Sequence, residues 1–269
     1  SKGGRNYQVK NVGLAMGNSL NRWNNVKSLT DTTWRKTRKG ESGFTNLGTV
    51  DFWGGSKDTT PTSAPITGLL VNFGTIINGD GKNVATVKVD HGNAIVGTDG
   101  SVLKNLKDSE IIVTGKYVKP SSNAPTLGDN GNRSTDPAIS GENYGIVGIS
   151  DGYVGYNYAN ENNFTGVDNS VAIRHEDGKI YVAGEKSTGI YAENKNDGLA
   201  SGVTIDYINT KAGTTGIDVS NSDVTAPDAR GVGIALVNSN TNYANGFANA
   251  GGVINLTGAS DGDFAGWGT

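Results

Sequence analysis

The sequence predicts an all-β protein, and within that class a single-strand β-solenoid. Three observations predict this fold: abundant glycine, short β-branched runs, and short motifs that recur along the chain. Gly contributes 41 of the 269 residues, whereas Pro contributes 6 and charged residues make up 18%. Gly and Asn adopt positive φ at little cost, so they favour tight turns, and so much Gly disfavours long helices.

The composition also excludes several other classes of protein. The glycines follow no three-residue period, which excludes a collagen-like chain. Apolar runs recur along the whole chain and the net charge is −3, which disfavours wholesale disorder. There are no cysteines, so neither a disulfide framework nor a thiolate zinc site is possible. No apolar run reaches the roughly 20 residues of a membrane span, so we expect no membrane contact.

One recurrent motif is Gly-Ile followed by alternating apolar residues. Its copies begin at Gly145, Gly189, Gly216 and Gly233. A single solenoid coil cannot bury its apolar face alone, whereas stacked coils bury a continuous core. We therefore expect Ile190, Ile217 and Ile234 to form one ladder inside the coil, with ladders of stacked Asn and Thr beside it.

A second motif is a short strand between two glycines. It occupies residues 74–79, 178–184 and 252–258, with looser copies at 48–52 and 110–115. The residues between the glycines alternate with the period of a strand that buries one face. The spacing between copies is irregular, which a solenoid tolerates because insertions leave at the corners between strands.

The composition of the chain changes near residue 65. Residues 1–65 hold three of the four tryptophans, and we expect them to form an irregular segment, a cap or subdomain packed on the solenoid. The apolar spacing of residues 12–26 allows a short amphipathic helix, but their many Asn residues are poor helix formers. Residues 66–269 form the predicted solenoid, with a loop excursion at 119–137, where three of the six prolines lie.

A serine protease is the first catalytic alternative. Residues 97–101 read Gly-Thr-Asp-Gly-Ser, which is the wrong order for a nucleophile loop. The chain has two histidines, His91 and His175, and a triad needs a base beside its nucleophile. We do not expect protease activity.

A polysaccharide lyase or hydrolase on a β-helix scaffold is the alternative function. Such enzymes need clustered carboxylates, alone or with Ca²⁺ and a basic residue. The densest charged string is residues 174–177, Arg-His-Glu-Asp. Adjacent residues on a strand point to opposite faces, so this string does not make a site by itself. We interpret it as a solvated turn before the strand at 179–183.

No metal or cofactor is expected. Asp80-Gly81 and Asp261-Gly262-Asp263 have a composition found in calcium loops. However, the chain contains neither the tandem nonapeptide of calcium solenoids nor a complete EF-hand loop. We interpret both strings as turns.

The candidate binding residues form an aromatic patch and a basic patch. They are Tyr144, Tyr153, Tyr156 and Tyr158 in the first patch, and Trp34, Arg35 and Lys36 in the second. Tyrosine rings offer stacking area for sugars and anchors for protein partners. A basic cluster beside an aromatic residue favours contact with an anionic glycan. The isoelectric point near 5.4 argues against a nucleic-acid partner.

The Gly-Ile-Tyr-Ala copy at 189–192, the Gly-bounded strand before it and the Asn-rich turns resemble the passenger domains of large type V autotransporters. The resemblance is to the fusobacterial outer-membrane adhesins in particular, and it is clearest over residues 140–258. It implies a right-handed parallel β-helix exported through a C-terminal outer-membrane barrel that is not in this chain. It also implies a location on the bacterial cell surface and a role in virulence.

We therefore expect a non-enzymatic, monomeric adhesin fragment that attaches to host cells or other bacteria. Loops on a β-helical stalk would contact a protein or glycan receptor. The chain begins without Met, and we expect it to be an interior piece of a longer protein. The alternative fold is a left-handed β-roll of the trimeric adhesin type, because residues 169–173 are similar to its head repeat. That fold would need regular copies of about 14 residues.

Overall fold

The structure, a computed structural model, describes residues 12–17, 43–52, 66–72, 74–115, 142–150, 170–184, 186–195, 202–220, 230–239 and 244–257. Within these ranges every regular element is a strand. The strands are β1 (Val12–Gly17), β2 (Gly43–Asn46), β3 (Thr49–Phe52), β4 (Ile66–Asn72), β5 (Thr75–Asn78), β6 (Thr86–Val89), β7 (Gly92–Thr98), β8 (Val102–Asn105), β9 (Glu110–Val113), β10 (Glu142–Ser150), β11 (Val171–Glu176), β12 (Lys179–Ala183), β13 (Lys186–Asn194), β14 (Val203–Ile208), β15 (Thr215–Ser220), β16 (Arg230–Asn238), β17 (Gly246–Ala250) and β18 (Val253–Thr257).

The strands form three parallel sheets of six strands each. Sheet A has the order β1-β4-β7-β10-β13-β16, sheet B has β2-β5-β8-β11-β14-β17, and sheet C has β3-β6-β9-β12-β15-β18. Each successive trio of strands is therefore one coil, and we number the coils 1 to 6 from β1–β3 to β16–β18. The prediction of a right-handed parallel β-helix is confirmed. The alternative of a left-handed β-roll was wrong.

The core is a set of aliphatic columns inside the coils. In sheet B, Leu103, Ile173 and Ile205 follow one another in register and have no more than 1% of their surface exposed. Strand β11 shows why the sequence folds this way, since its burial alternates between inward and outward residues. The Gly-bounded motifs at 178–184 and 252–258 correspond to strands β12 and β18.

The prediction that Ile190, Ile217 and Ile234 share one ladder was wrong. Ile190 pairs with Ile234 in sheet A, whereas Ile217 pairs with Ile180 in sheet C. All of them are buried. The Gly-Ile dipeptide occurs in both sheets because each sheet has a position where neighbouring atoms leave no room for a Cβ atom.

In sheet A the glycine of the motif lies between two register pairs. The pairs Tyr144–Thr188 and Ile146–Ile190 enclose Gly145 and Gly189. A Cβ at Gly189 would lie 2.5 Å from Cγ2 of Ile217 and 2.6 Å from the carbonyl oxygen of Gly233. Glycine is therefore required where sheet A approaches both a side chain of sheet C and the backbone of the next coil.

A polar column runs down the corner between sheets B and C. In order, its members are Asn46, Asn78, Asn105, His175, Tyr207 and Asn249, which are consecutive register partners. The amide of Asn46 donates to Oδ1 of Asn78 at 2.9 Å, and that of Asn78 donates to Oδ1 of Asn105 at 2.8 Å. The expected ladder of stacked Asn is confirmed, and we call the column the corner ladder.

The corner ladder also joins each coil to the next through backbone carbonyls of sheet C. Asn46 donates to the carbonyl of Thr86 at 3.0 Å, Asn78 to that of Glu110 at 3.0 Å, and Asn105 to that of Lys179 at 3.2 Å. In each bond the acceptor lies one coil further along. Buried amides with several partners each satisfy backbone groups that a corner would otherwise leave unpaired.

Part of the segment expected to be irregular belongs to the solenoid. Strands β1, β2 and β3 form coil 1, so residues 12–17 and 43–52 are coil residues. The helix that the spacing of residues 12–26 allows is wrong for 12–17, where Leu14 and Met16 are half-buried and Ala15 between them is exposed. That is the period of a strand. The other residues of 1–65, and the excursion predicted at 119–137, lie outside the described residues.

Replacing Gly189 by Ala should destabilise the protein by about 1–3 kcal/mol, because the added methyl group overpacks the contact between sheets A and C. Urea unfolding measures the change. Gly246→Ala is the matched control, since its Cβ would meet its nearest neighbour, a Thr204 methyl group, at 3.5 Å. Equal stability of the two variants would contradict the packing explanation for the motif.

Candidate functional site

The outward side of sheet A carries an apolar cluster beside polar pairs such as Asn72 and Thr98. Val96, Val147 and Ile149 form a cluster separate from the core, against which Leu70, Tyr144 and Tyr191 pack. Their neighbours on the same strands, such as Ile95 and Ile146, belong to the core. Adjacent residues of a strand face opposite sides, so the cluster lies outside the coil. We call these six residues, with Glu193, the sheet A outer face.

Sheets B and C have charged outer columns. On sheet B, Lys104, Arg174 and Asp206 follow one another in register. On sheet C, Glu110 lies beside Lys179 with an ion-pair distance of 3.7 Å. By contrast, Val96, Val147 and Ile149 of sheet A are at most 5% exposed. A parallel sheet with apolar residues on both faces is covered on both faces in other proteins.

Two tyrosines and an ion pair occupy the same face. The rings of Tyr144 and Tyr191 meet edge to face with their centroids 5.6 Å apart. The Tyr191 hydroxyl donates to Oε2 of Glu193 at 2.7 Å, and Nζ of Lys195 lies 3.4 Å from the same oxygen. Glu193 is 7% exposed, so its charge is held by these partners.

The long connections of the chain all begin or end at sheet A. Connections from sheet B to sheet C are short, and the longest is residues 79–85. The long connections from A to B or from C to A are residues 18–42, 53–65, 114–141 and 151–170. Coil 3 makes the same two kinds of connection with residues 90–91 and 99–101. The length of the connections therefore varies most at the two borders of sheet A and less at the corner between sheets B and C.

The predicted binding residues divide between strand β10 and these connections. Tyr144 lies in β10 and contributes to the sheet A outer face. The other predicted tyrosines, Tyr153, Tyr156 and Tyr158, lie outside the described residues, in the chain that follows β10. So do Trp34, Arg35 and Lys36, in the chain between β1 and β2.

Sequence reasoning did not select Tyr191 and Glu193. Both lie in the Gly-Ile-Tyr-Ala-Glu run of β13, where the alternation puts Ile190 inward and Tyr191 outward. This alternation is the sequence signal that could have identified both residues as outward-facing. The predicted tyrosines were chosen by their crowding in sequence, which does not report proximity across coils.

The charged string at 174–177 is mostly not the solvated turn that we predicted. Arg174, His175 and Glu176 belong to strand β11, and only Asp177 begins the turn. Nε of Arg174 donates to Oε2 of Glu176 at 2.7 Å on the outer side, whereas His175 is buried inside the coil. The expectation that neighbours point to opposite faces is confirmed.

His175 is held as a neutral imidazole in the corner ladder. Its Nε2 donates to the Gly216 carbonyl at 2.9 Å, and its Nδ1 accepts from the Asn105 amide at 3.2 Å. Its ring stacks on Tyr207 with centroids 5.1 Å apart. Burial lowers the pKa of His175 to about 4 and raises the pKa of Tyr207. Both ring nitrogens of His175 thus form hydrogen bonds that join its coil to the neighbouring coils.

The strings weighed as nucleophile and calcium loops are turns where they are described. The Ser101 hydroxyl contacts the carbonyls of Val71 and Thr98 at the corner between β7 and β8. Asp80 accepts hydrogen bonds from the backbone amides of Lys82 and Asn83, which lower its pKa. Residues 261–263 lie outside the described part of the chain. In the described residues no cluster of His, Asp and Glu side chains could hold a metal ion.

Comparisons of this chain with protein-family models, with curated proteins and with solved structures gave no match. Among the described residues, no helix has the length and apolar character that a membrane span requires.

The buried neutral His175 should make the fold sensitive to acid. The pKa is about 4 in the fold and about 6.5 in the unfolded chain, so the unfolded chain takes up the proton first as the pH falls. Stability should fall by about 2–3 kcal/mol between pH 7 and pH 4.5 from this group. Urea unfolding at the two pH values measures the loss.

His175→Asn is the informative control for this prediction, because Asn continues the ladder formed by the residues above it. The variant should lose about 2–3 kcal/mol less than the parent protein between pH 7 and pH 4.5. The same loss in both proteins would show that carboxylates, and not His175, set the acid response.

Proposed function

We propose that this chain is a fragment of a bacterial cell-surface adhesin, in which a β-helix presents binding loops along the two borders of sheet A. One observation carries the proposal. Of the seven predicted binding residues, Tyr144 lies on the sheet A outer face and the other six lie in connections that begin at a sheet A strand. Both connections run from a sheet A strand to a sheet B strand, so the strand ends that flank them lie along one border of the scaffold.

The scaffold suits this function because it fixes where each loop starts and ends. Strands of neighbouring coils lie about 4.8 Å apart, so loops from successive coils leave the sheet at closely spaced points. Loops on a rigid scaffold tolerate variation in length and sequence without loss of the core. Residues 99–101 and 151–170 are a short and a long connection at the same border, so coils 3 and 4 already differ in this way.

The proposal includes the origin that the sequence resemblance implies. As in the passenger domains of type V autotransporters, the chain would cross the outer membrane through a barrel outside this sequence and remain on the cell surface. The absence of cysteine is compatible with export through an oxidising periplasm. The receptor would be a protein or a glycan on a host cell or on another bacterium.

The test is binding of the fluorescently labelled chain to epithelial cells, immune cells and partner bacteria, with free sugars as competitors. We expect saturable binding to at least one of these surfaces. The decisive variant replaces residues 151–170 by Asp-Gly-Ser, the connection that coil 3 uses between β7 and β8. It should bind at least tenfold more weakly, because it removes the loop that holds three of the predicted tyrosines.

Tyr181→Ser is the matched control, because Tyr181 is exposed on the outer side of sheet C. It should bind like the parent chain. If the loop variant binds normally while Tyr181→Ser does not, the binding surface lies on the wrong sheet for this proposal. Release of reducing or unsaturated sugars from polysaccharides would instead favour the alternative function, a polysaccharide lyase or hydrolase on a β-helix scaffold.

A further inference from the structure

Ile149 is almost completely buried, although its side chain lies on the outside of the coil. It is 1% exposed, whereas the outward isoleucines of the other two sheets, Ile77 in sheet B and Ile112 in sheet C, are half-buried. All three have a register partner in the coil before and in the coil after. Stacking of coils therefore leaves an outward isoleucine only half-buried, and Ile149 has a further cover.

The described side chains that pack against the cluster of Val96, Val147 and Ile149 belong to sheet A themselves. In one outward register column, Leu70 and Tyr191 are half-buried, whereas Val96 and Val147 between them are at most 5% exposed. The cover is therefore centred on coils 3 and 4, and neighbouring side chains of the same sheet do not account for it.

On the outer side of strand β10, burial increases towards the end of the strand. Tyr144 is half-buried, Val147 is 3% exposed and Ile149 is 1% exposed. The connection of residues 151–170 continues directly from this end of the strand. The most deeply covered part of the sheet A outer face is thus the part nearest to the start of that connection.

The composition of residues 151–170 suits an apolar contact. They include Tyr153, Tyr156, Tyr158 and Phe164, and they contain no Lys or Arg. The connection that precedes β10, residues 114–141, has a single aromatic residue and three basic residues. Aromatic side chains bury a large apolar area each, whereas basic side chains are costly to bury without a partner. Of the two long connections that flank β10, the one that follows it fits the apolar cluster better.

We propose that residues 151–170 pack back over the end of β10 and cover Val147 and Ile149 with their aromatic side chains. The contact removes apolar surface of both partners from water, which is the driving force for it. It also satisfies the need of a parallel sheet with two apolar faces for a cover on each. Val147 and Ile149 are then positioning residues that anchor the connection to the solenoid.

An anchored connection has a consequence for binding. A loop that is ordered before a receptor arrives loses less conformational entropy when it binds. A tyrosine that covers Ile149 is also unavailable to a receptor, so Tyr153, Tyr156 and Tyr158 would contribute unequally. This consequence rests on the proposed function, whereas the contact with Ile149 does not, and a test of the contact needs no receptor.

A single engineered thiol measures the cover, because the chain has no cysteine of its own. In the native protein, Ile149→Cys should react with a maleimide at least tenfold more slowly than the matched control Ile112→Cys, because only an accessible thiol reacts. Replacing residues 151–170 by Asp-Gly-Ser, the connection between β7 and β8, should make the two thiols react at similar rates. Continued protection of the Ile149→Cys thiol in that variant would overturn the proposal.

Two further variants identify the segment that forms the cover. Replacing residues 114–141 by Asp-His, the connection between β6 and β7, should leave the Ile149→Cys thiol protected. Loss of protection there, and not on replacement of 151–170, would assign the cover to the wrong connection for this proposal. A full-length chain with Ser in place of Tyr153, Tyr156, Tyr158 and Phe164 keeps the connection at its natural length. It should raise the labelling rate as the short connection does, and an unchanged rate would contradict the aromatic contact even if the shortened chain does not fold.

Urea unfolding provides a second readout that does not depend on thiol chemistry. Truncating a side chain destabilises a protein most where that side chain is buried. Ile149→Ala should therefore raise the unfolding equilibrium constant at least tenfold more in the parent chain than in the chain with the Asp-Gly-Ser connection, whereas Ile112→Ala should raise it equally in both. Equal effects of Ile149→Ala in the two chains would refute the contact. A chain that binds cells while its Ile149→Cys thiol is unprotected would keep the proposed function and lose this inference.

Discussion

The rest of the structure depends on the hydrogen bonds of the corner ladder. Each bond joins the end of a sheet B strand to the start of a sheet C strand one coil further along, as from Asn78 to the carbonyl of Glu110. The bond forms only if the corner between the two sheets keeps nearly the same geometry in successive coils. Long insertions at that corner would separate donor from acceptor. The corner therefore stays short, and the long insertions are confined to the borders of sheet A.

The corner ladder contains the rings of His175 and Tyr207 as well as the amides of Asn residues. Glycines beside Tyr207 leave room for its larger ring. Tyr207 donates to the carbonyl of Val253 at 2.6 Å, the bond that an Asn makes elsewhere, but its ring is larger. A Cβ at Gly216 would lie 2.5 Å from the Tyr207 hydroxyl, and one at Gly252 would lie 2.3 Å from the ring. The Gly-Ile copy at 216 thus makes room for Tyr207, whereas the copy at 189 makes room for Ile217.

This difference explains how far the sequence alone could predict the fold. Alternation and flanking glycines are local signals, so strands such as β12 and the parallel β-helix itself were predictable. Assignment of a strand to a sheet is not local, because connections of very different length separate equivalent positions. The ladder residues Asn105 and His175 are direct neighbours in space. The separation of Asn105 and His175 in the sequence does not identify them as neighbours. Nothing in the sequence shows that a histidine takes the ladder position that an asparagine has in other coils. The alternation of β13 put Tyr191 outward, but its proximity to residues of other coils was missed for the same reason.

The confinement of insertions has a consequence for function. The corner between sheets B and C has only short connections, none longer than residues 79–85 in the described coils. The outer faces of these two sheets carry charged residues such as Lys104 and Asp206. Sheet A alone has long connections at both of its borders, and its outer face carries the apolar cluster around Val147. The proposed recognition surface, assembled from loops, would have one place to form on such a scaffold. The argument from the corner ladder therefore reaches the same side of the molecule as the position of Tyr144 on the sheet A outer face, although the two use different residues.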